Sequence, residues 1–237
     1  MSKIRSVIFD CYSTLIDIKT DEGKNEVFQY LSLYLQYYGA SMSAARLESQ
    51  IREEKKRCLA STKERYPEVD LEMVFRSILK KERLNNAFLA QSCCKLLRLV
   101  SRERLELFPD SIGVLKDVRE RGYSTAIVSD AQKVFCLDEM RMLGLDGFFD
   151  HIVISTHFGF QKPDPRLFLV ACDLLGVAPA QAVYIGNHPE KDIGGAKQTG
   201  MRAILVDRNK GANDLTVEPD FRAASLWEAW EWIRRLS

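Results

Sequence analysis

Residues 6–17 read SVIFDCYSTLID. The apolar run Val7, Ile8, Phe9 stops abruptly on a carboxylate, Asp10, and small and polar residues follow it. A strand that is continuously apolar, rather than alternating, has both of its faces covered. Asp10 is therefore expected at the end of a buried central strand, with Tyr12, Ser13 and Thr14 in the turn beyond it.

The same texture recurs along much of the chain. Further strand patterns are YSTAIVSD at 123–130, HIVISTH at 151–157, AVYIG at 182–186 and MRAILVD at 201–207, with KIRSVIFD at 3–10 as the first. Helical patterns lie between them at 111–121, 132–143, 165–175 and 190–199. Strand and helix repeating at this interval predict an α/β fold with a doubly wound, Rossmann-like parallel sheet built from 1–16 and 105–237. Residues 17–104 have almost no strand signal. Four helical patterns fill them, at 25–39, 43–66, 70–82 and 86–100, and predict an inserted all-helical cap domain. The stripe Phe28, Tyr30, Tyr34, Tyr37, Tyr38 is expected to form cap core, and REEKKR at 52–57 a solvated helix face. The terminal LWEAWEWIRRL is amphipathic, and its Trp residues are expected to cover the sheet.

Composition narrows the functional classes. With 34 Lys and Arg against 33 Asp and Glu, the net charge of +1 provides no field that would favour nucleic acid or a membrane. No stretch reaches the ~20 apolar residues of a membrane span, and the first ten residues lack a signal-peptide pattern. The six cysteines show no C-x-x-C pair, which suits reduced thiols in a cytoplasmic protein rather than a zinc site or a disulfide framework. A small-molecule substrate is the expected partner, for a monomer or a homodimer.

Ligands of a doubly wound sheet bind beyond the carboxyl ends of its strands. Those ends carry Asp10 with Tyr12, Ser13 and Thr14; Ser129 and Asp130; Lys162 in GFQKPDP; and Asn187 with Asp192 in the helix start that follows. A strand-end carboxylate becomes a nucleophile when a fixed cation offsets its charge, and Lys162 provides one. Ser129 and Thr14 can donate to developing negative charge, and Asp192 can orient Lys162 or help to hold a divalent cation. His188 reads as the start of a helix with Pro near its first position. Gly194, Gly195 and Gly200 suggest close packing and a helix end, not the loop of a nucleotide cofactor.

The ordered set FDCYSTL, IVSDA, QKPDP and IGNHPEKDIGGAKQTGM resembles the haloacid dehalogenase (HAD) superfamily of hydrolases, over essentially the whole chain. The resemblance implies a Rossmann-like core with a helical cap that opens and closes through hinges near 17–20 and 101–107. It also implies a covalent ester on an aspartyl nucleophile, which falls on Asp10, with Ser129 as hydrogen-bond donor and Lys162 as cation.

Phosphatases of this superfamily read D-x-D-x-T in the first motif, with the second Asp protonating the leaving group, and G-D in the fourth, with that Asp binding Mg²⁺. Here the two positions are Tyr12 and Asn187. If Mg²⁺ binds, its ligands would be Asp10, the Tyr12 carbonyl, Asn187 and Asp192. The form D-x-Y-x-T is similar to the L-2-haloacid dehalogenases, whose displacement of halide needs no metal and no acid. On that reading no cofactor is required, Asp10 attacks carbon, Asp192 activates the hydrolytic water, and Ser13, Asp130 and Asn187 join the substrate contacts. Those dehalogenases carry Ser-Asn in the second motif, where this chain has Ser129 and Asp130. They also have a Tyr six residues beyond the Lys, where this chain has Phe168, and a cap Arg for which Arg46 and Arg52 are the two candidates, with no choice between them. The alternatives to a 2-haloacid hydrolase are a Mg²⁺-dependent small-molecule phosphatase, phosphoglycolate phosphatase-like, and a HAD-fold binding protein with weakened catalysis.

Overall fold

Val7 and Phe9 of strand β1 (Ser6–Phe9) turn to one face of a sheet and Ile8 to the other, and all three are fully buried. The computed structural model describes residues 3–84, 86–208 and 217–236. From β1 the chain makes a tight turn into β2 (Ile16–Thr20), which pairs antiparallel with β3 (Arg102–Leu107). This ribbon carries the insertion, and it corrects the expectation that 17–104 holds almost no strand. Its charged residues alternate with apolar ones, and much of the ribbon faces solvent, so it lacks the apolar run that marks a buried strand.

Four helices lie between the ribbon strands: α1 (Asn25–Tyr37), α2 (Ala44–Ala60), α3 (Leu71–Lys81) and α4 (Ala87–Ser101). They enclose a core of their own, which includes Leu31, Leu35, Leu47, Phe75, Ile78 and Leu97. The aromatic stripe of α1 is not its centre. Tyr37 is 84% exposed and Tyr30 55%, because Val27, Leu31 and Leu35 form the inward face instead. A buried Leu contributes about 2 kcal/mol, so the aliphatic stripe decides which way α1 turns. Helix α2 ends at Ala60, short of the predicted 66. Pro67 biases the residue before it toward extended backbone, and Thr62–Val69 crosses to the core instead. There the Gln161 N–H donates to the Tyr66 carbonyl (2.8 Å) and the Glu68 N–H to the Gly159 carbonyl (3.0 Å). Ser155 Oγ donates to Glu68 Oε2 (2.6 Å), and burial raises that carboxyl above its usual range.

The remaining strands are β4 (Ser124–Ser129), β5 (His151–Ile154), β6 (Ala182–Gly186), β7 (Arg202–Val206) and β8 (Phe221–Ala223). With β1 they form a six-stranded sheet, all parallel, in the order β5-β4-β1-β6-β7-β8. Helices α5 (Ser111–Glu120), α6 (Lys133–Met142) and α9 (Leu226–Arg235) cover one face, with Trp230 fully buried and Trp227 43% exposed. Helices α7 (Pro165–Leu175) and α8 (Gly195–Gln198) cover the other. The strand order reverses direction between β1 and β6, which places the switch point beside Asp10 and Asn187. Among the described residues no helix is long and apolar enough to cross a membrane.

Candidate active site

The turn after β1 folds Thr14 back over the residue that ends the strand. The Leu15 and Ile16 N–H groups both donate to the Cys11 carbonyl, at 2.9 and 3.0 Å, and Ser13 sits at φ +63°. Thr14, fully buried, then donates from Oγ1 to Asp10 Oδ2 (3.0 Å) and stands 3.2 Å from Asn187 Oδ1.

Lys162 reaches the same carboxylate from the loop before α7. Asp130 fixes that loop by accepting from the Lys162 N–H (2.9 Å), while its other oxygen pairs with Lys191 (3.1 Å). Asp164 caps α7 by accepting from the Arg166 N–H (3.0 Å), with Pro165 in the first helical turn. The ammonium donates to Asp10 Oδ1 (2.7 Å), Asp192 Oδ1 (2.6 Å) and the Tyr184 hydroxyl (3.1 Å). An ammonium has three protons, so all are committed to protein.

Asp192 is placed by a π-helical turn, Pro189–Gly194, whose wide spiral turns the carboxylate back toward β6. Asp192 Oδ2 accepts from the N–H groups of Asn187 (3.0 Å) and His188 (2.9 Å). His188 caps the turn with Nδ1, which accepts from the Lys191 N–H (3.2 Å). Gly186 is needed at the end of β6, because a Cβ there would lie 2.5 Å from the Asp192 carboxylate.

These three charged groups are nearly sealed from solvent: Asp10 is 5% exposed, Lys162 3% and Asp192 1%. Burial raises the Asp10 carboxyl to about 6; Lys162 pulls it down and Asp192 pushes it up. Burial would lower Lys162, but Asp10 and Asp192 outweigh it and hold the ammonium well above its usual range. With both carboxylates ionised, the cluster has a net charge of −1.

Tyr12 points elsewhere. Its hydroxyl donates to Glu139 Oε2 of α6, and Glu139 also pairs with Arg98 of the cap helix α4 (2.6 and 2.9 Å). The Arg98 guanidinium lies 5.2 Å from the centre of the Tyr12 ring. Burial first, then Cys136 and Glu139, push the phenol of Tyr12 far above its usual range. Ser129 ends β4, buried, outside the hydrogen bonds that tie Lys162. Ser13 and Asn187 line a cavity of about 400 Å³, which Arg104, Phe108 and Arg208 also bound.

The structure thus gathers Asp10, Thr14, Lys162, Asp192 and Asn187 at one point. Tyr12, Ser13, Ser129 and Asp130 surround it without joining the ion-pair network of Asp10. Arg46 and Arg52 lie on the cap surface, paired with Glu82 and Glu48. Tyr184 escaped the reading of the sequence. In AVYIG it passes for a core aromatic, yet a buried phenol needs a hydrogen-bond partner, and its hydroxyl meets Lys162, Asp192 (3.1 Å) and the Val128 carbonyl (2.9 Å).

A divalent cation would draw on Asp10, the Tyr12 carbonyl, Asn187 and Asp192. Asp10 and Asp192 already share one ammonium, Asp192 is ringed by donors, and Asn187 brings no charge. Among the described residues no group of three or more His, Cys, Asp or Glu side chains is arranged to hold a metal ion. Mg²⁺ favours anionic oxygens, so this donor set does not fit a tightly held Mg²⁺.

A family model described as haloacid dehalogenase-like hydrolase matches residues 4–200. A phosphoserine phosphatase from Thermus thermophilus is 36% identical over 129 residues, 54% of this chain and 52% of that protein. The chain thus spans about half the length of that relative. (S)-2-haloacid dehalogenase 1 from a Pseudomonas species is 25% identical over 238 residues, the full length of both proteins. The crystal structure of 2-haloacid dehalogenase from Pseudomonas syringae pv. tomato superposes with a TM-score of 0.73 at 25% identity, covering 99% of this chain and 100% of that one.

Proposed function

The chain belongs to the haloacid dehalogenase-like hydrolases, and on that premise we propose that it hydrolyses a small 2-haloacid through an ester on Asp10, without a metal ion. One observation carries this reading: the two positions a phosphatase needs as carboxylates are Tyr12 and Asn187, and Tyr12 is turned to Glu139. A phenol whose proton is held so tightly is a poor acid for a departing alkoxide. Halide needs none.

Charge supports the same substrate class. A cluster of net −1 repels a phosphomonoester dianion more strongly than a haloacid, which carries one charge. Lys162 has no free proton for the substrate and acts on Asp10; Ser129 and Asn187 are left to meet the substrate carboxylate. Asp10 attacks the halogen-bearing carbon, a C–O bond forms, and the C–halogen bond breaks with its electron pair leaving on halide. Water then attacks the Asp10 carbonyl carbon and releases a 2-hydroxy acid that keeps one oxygen of Asp10. Once Asp10 is a neutral ester, Lys162 faces Asp192 alone. Asp192 then takes the proton of the attacking water as it gives up one of its donors and returns it to the departing oxygen of the hydroxy acid. Asp10 leaves the step as a carboxyl that loses its own proton to solvent. A reducing, cytoplasmic setting suits the six free cysteines.

The rival is a Mg²⁺-dependent phosphatase. It is favoured by the likeness of about half the chain to phosphoserine phosphatase. Incubation with L-2-chloropropionate is expected to release chloride at the same rate with and without EDTA. p-Nitrophenyl phosphate with Mg²⁺ is expected to give no more than a trace of phosphate. Phosphate release that needs Mg²⁺, with no chloride, would reverse the assignment. Turnover of neither would favour the binding-protein alternative.

A further inference from the structure

Tyr184 lies on β6, two residues before the strand end at Gly186, and nothing in the proposed reaction uses it. Its hydroxyl is the third acceptor of the Lys162 ammonium, at 3.1 Å, beside Asp10 Oδ1 at 2.7 Å and Asp192 Oδ1 at 2.6 Å. The phenol has two acceptors for its own proton, the Val128 carbonyl at 2.9 Å and Asp192 Oδ1 at 3.1 Å, and bonding to either leaves a lone pair for the ammonium. The ring is fully buried and fixed by Phe168, edge-on at 4.9 Å between centroids. The far end of the Phe168 ring lies over Gly195, where a Cβ would come within 2.4 Å of it.

We infer that Tyr184 is a positioning residue for the nucleophile, acting through Lys162 as the neutral leg of a three-acceptor seat for its ammonium. The inference rests on Asp10 as the attacking group, as proposed above. A third carboxylate in that place would draw the ammonium away from Asp10. An apolar side chain would leave one buried N–H without an acceptor and free the ammonium to rotate off the attack line. A phenol satisfies the third proton and adds no charge, so the ammonium stays on the two carboxylates.

Tyr184→Phe keeps the ring against Phe168 and removes only the acceptor. Two readouts test it. Ammonium-selective ¹H–¹⁵N spectra follow exchange of the Lys162 Nζ protons with water, assigned by their loss in Lys162→Arg, which keeps the cation. They are expected to exchange slowly in the wild type and at least about tenfold faster in Tyr184→Phe. With L-2-chloropropionate, kcat is expected to fall about tenfold while KM stays within about twofold, because the substrate does not touch Tyr184. Equal exchange rates in the two proteins would overturn the inference, as would a rise in KM alone. If the wild type turns over no haloacid, the proposed reaction fails and the exchange comparison alone decides the role of Tyr184. Should the Phe variant not fold, 3-fluorotyrosine at 184, a weaker acceptor of the same shape, is expected to speed exchange by a smaller factor. No change there would also overturn it.

Discussion

Asp10→Asn is expected to lower turnover by about 10⁴-fold or more while leaving the protein folded and, at neutral pH, more stable. The activity loss follows from chemistry, because an amide in that position cannot form the ester. The stability gain follows from the surroundings. Asp10 is buried with Asp192, and the two share one ammonium. In the folded protein the Asp10 carboxyl is raised from 3.8 to about 6. A carboxyl raised on folding binds its proton more tightly in the native state. Its contribution is therefore fully present below about pH 4 and is lost as pH rises through 6. The amount is on the order of 2–3 kcal/mol as an upper bound. Asn does not titrate and leaves Lys162 and Asp192 as a one-to-one pair. Urea unfolding from pH 4 to 7 checks this. The wild type should lose stability across that range by more than the variant does. A variant that unfolds more readily at pH 7 would contradict the charge account, and one that retained turnover would contradict the nucleophile.

Lys162→Met is expected to be the most damaging single change to the fold, and to lower activity as well. It removes the cation from between two carboxylates that are 5% and 1% exposed. Removing one partner of a buried ion pair costs about 3–5 kcal/mol, because the remaining charge has no compensation. Here two like charges remain. Without the cation that lowers it, the Asp10 carboxyl holds its proton to higher pH, so stability should return as pH is lowered toward 5. At pH 7 the nucleophile is largely protonated, and kcat should fall by about 10³-fold. A melting temperature near that of the wild type at pH 7, with normal turnover, would show that Lys162 is not the counter-ion.

Much of this site was legible because buried strands advertise their ends. Val7, Ile8 and Phe9 have no reason to stop at a carboxylate unless the chain is leaving the sheet, and the same holds for Ser129 after AIV and Asn187 after VYIG. Asp10, Thr14, Lys162, Asp192 and Asn187 meet at hydrogen-bond distance as the strand ends predict. The rest was hidden for separate physical reasons. Tyr184 reads as a β-forming aromatic, and only the three-dimensional position of Lys162 reveals its hydroxyl as an acceptor. Tyr12 takes its direction from Glu139 and Arg98, which belong to a core helix and a cap helix far along the chain. Local spacing carries no trace of that contact. The ribbon at 16–20 and 102–107 is amphipathic and partly exposed, so charged residues mask its strand pattern. On α1 the aromatic residues are the bulkiest, but Leu31 and Leu35 lie on the buried arc of the helix and Tyr37 lies outside it.

The central claim is that Asp10 becomes covalently bonded to its substrate and is freed by water attacking its own carbonyl carbon. A single turnover of L-2-chloropropionate in H₂¹⁸O, with enzyme in excess, tests it most directly. Heavy oxygen is predicted in the Asp10 carboxylate, read by mass spectrometry of the peptide containing it, and the hydroxy acid is predicted to carry ordinary oxygen. Unlabelled Asp10 with ¹⁸O in the product would mean that water attacks the substrate directly, and would contradict the account.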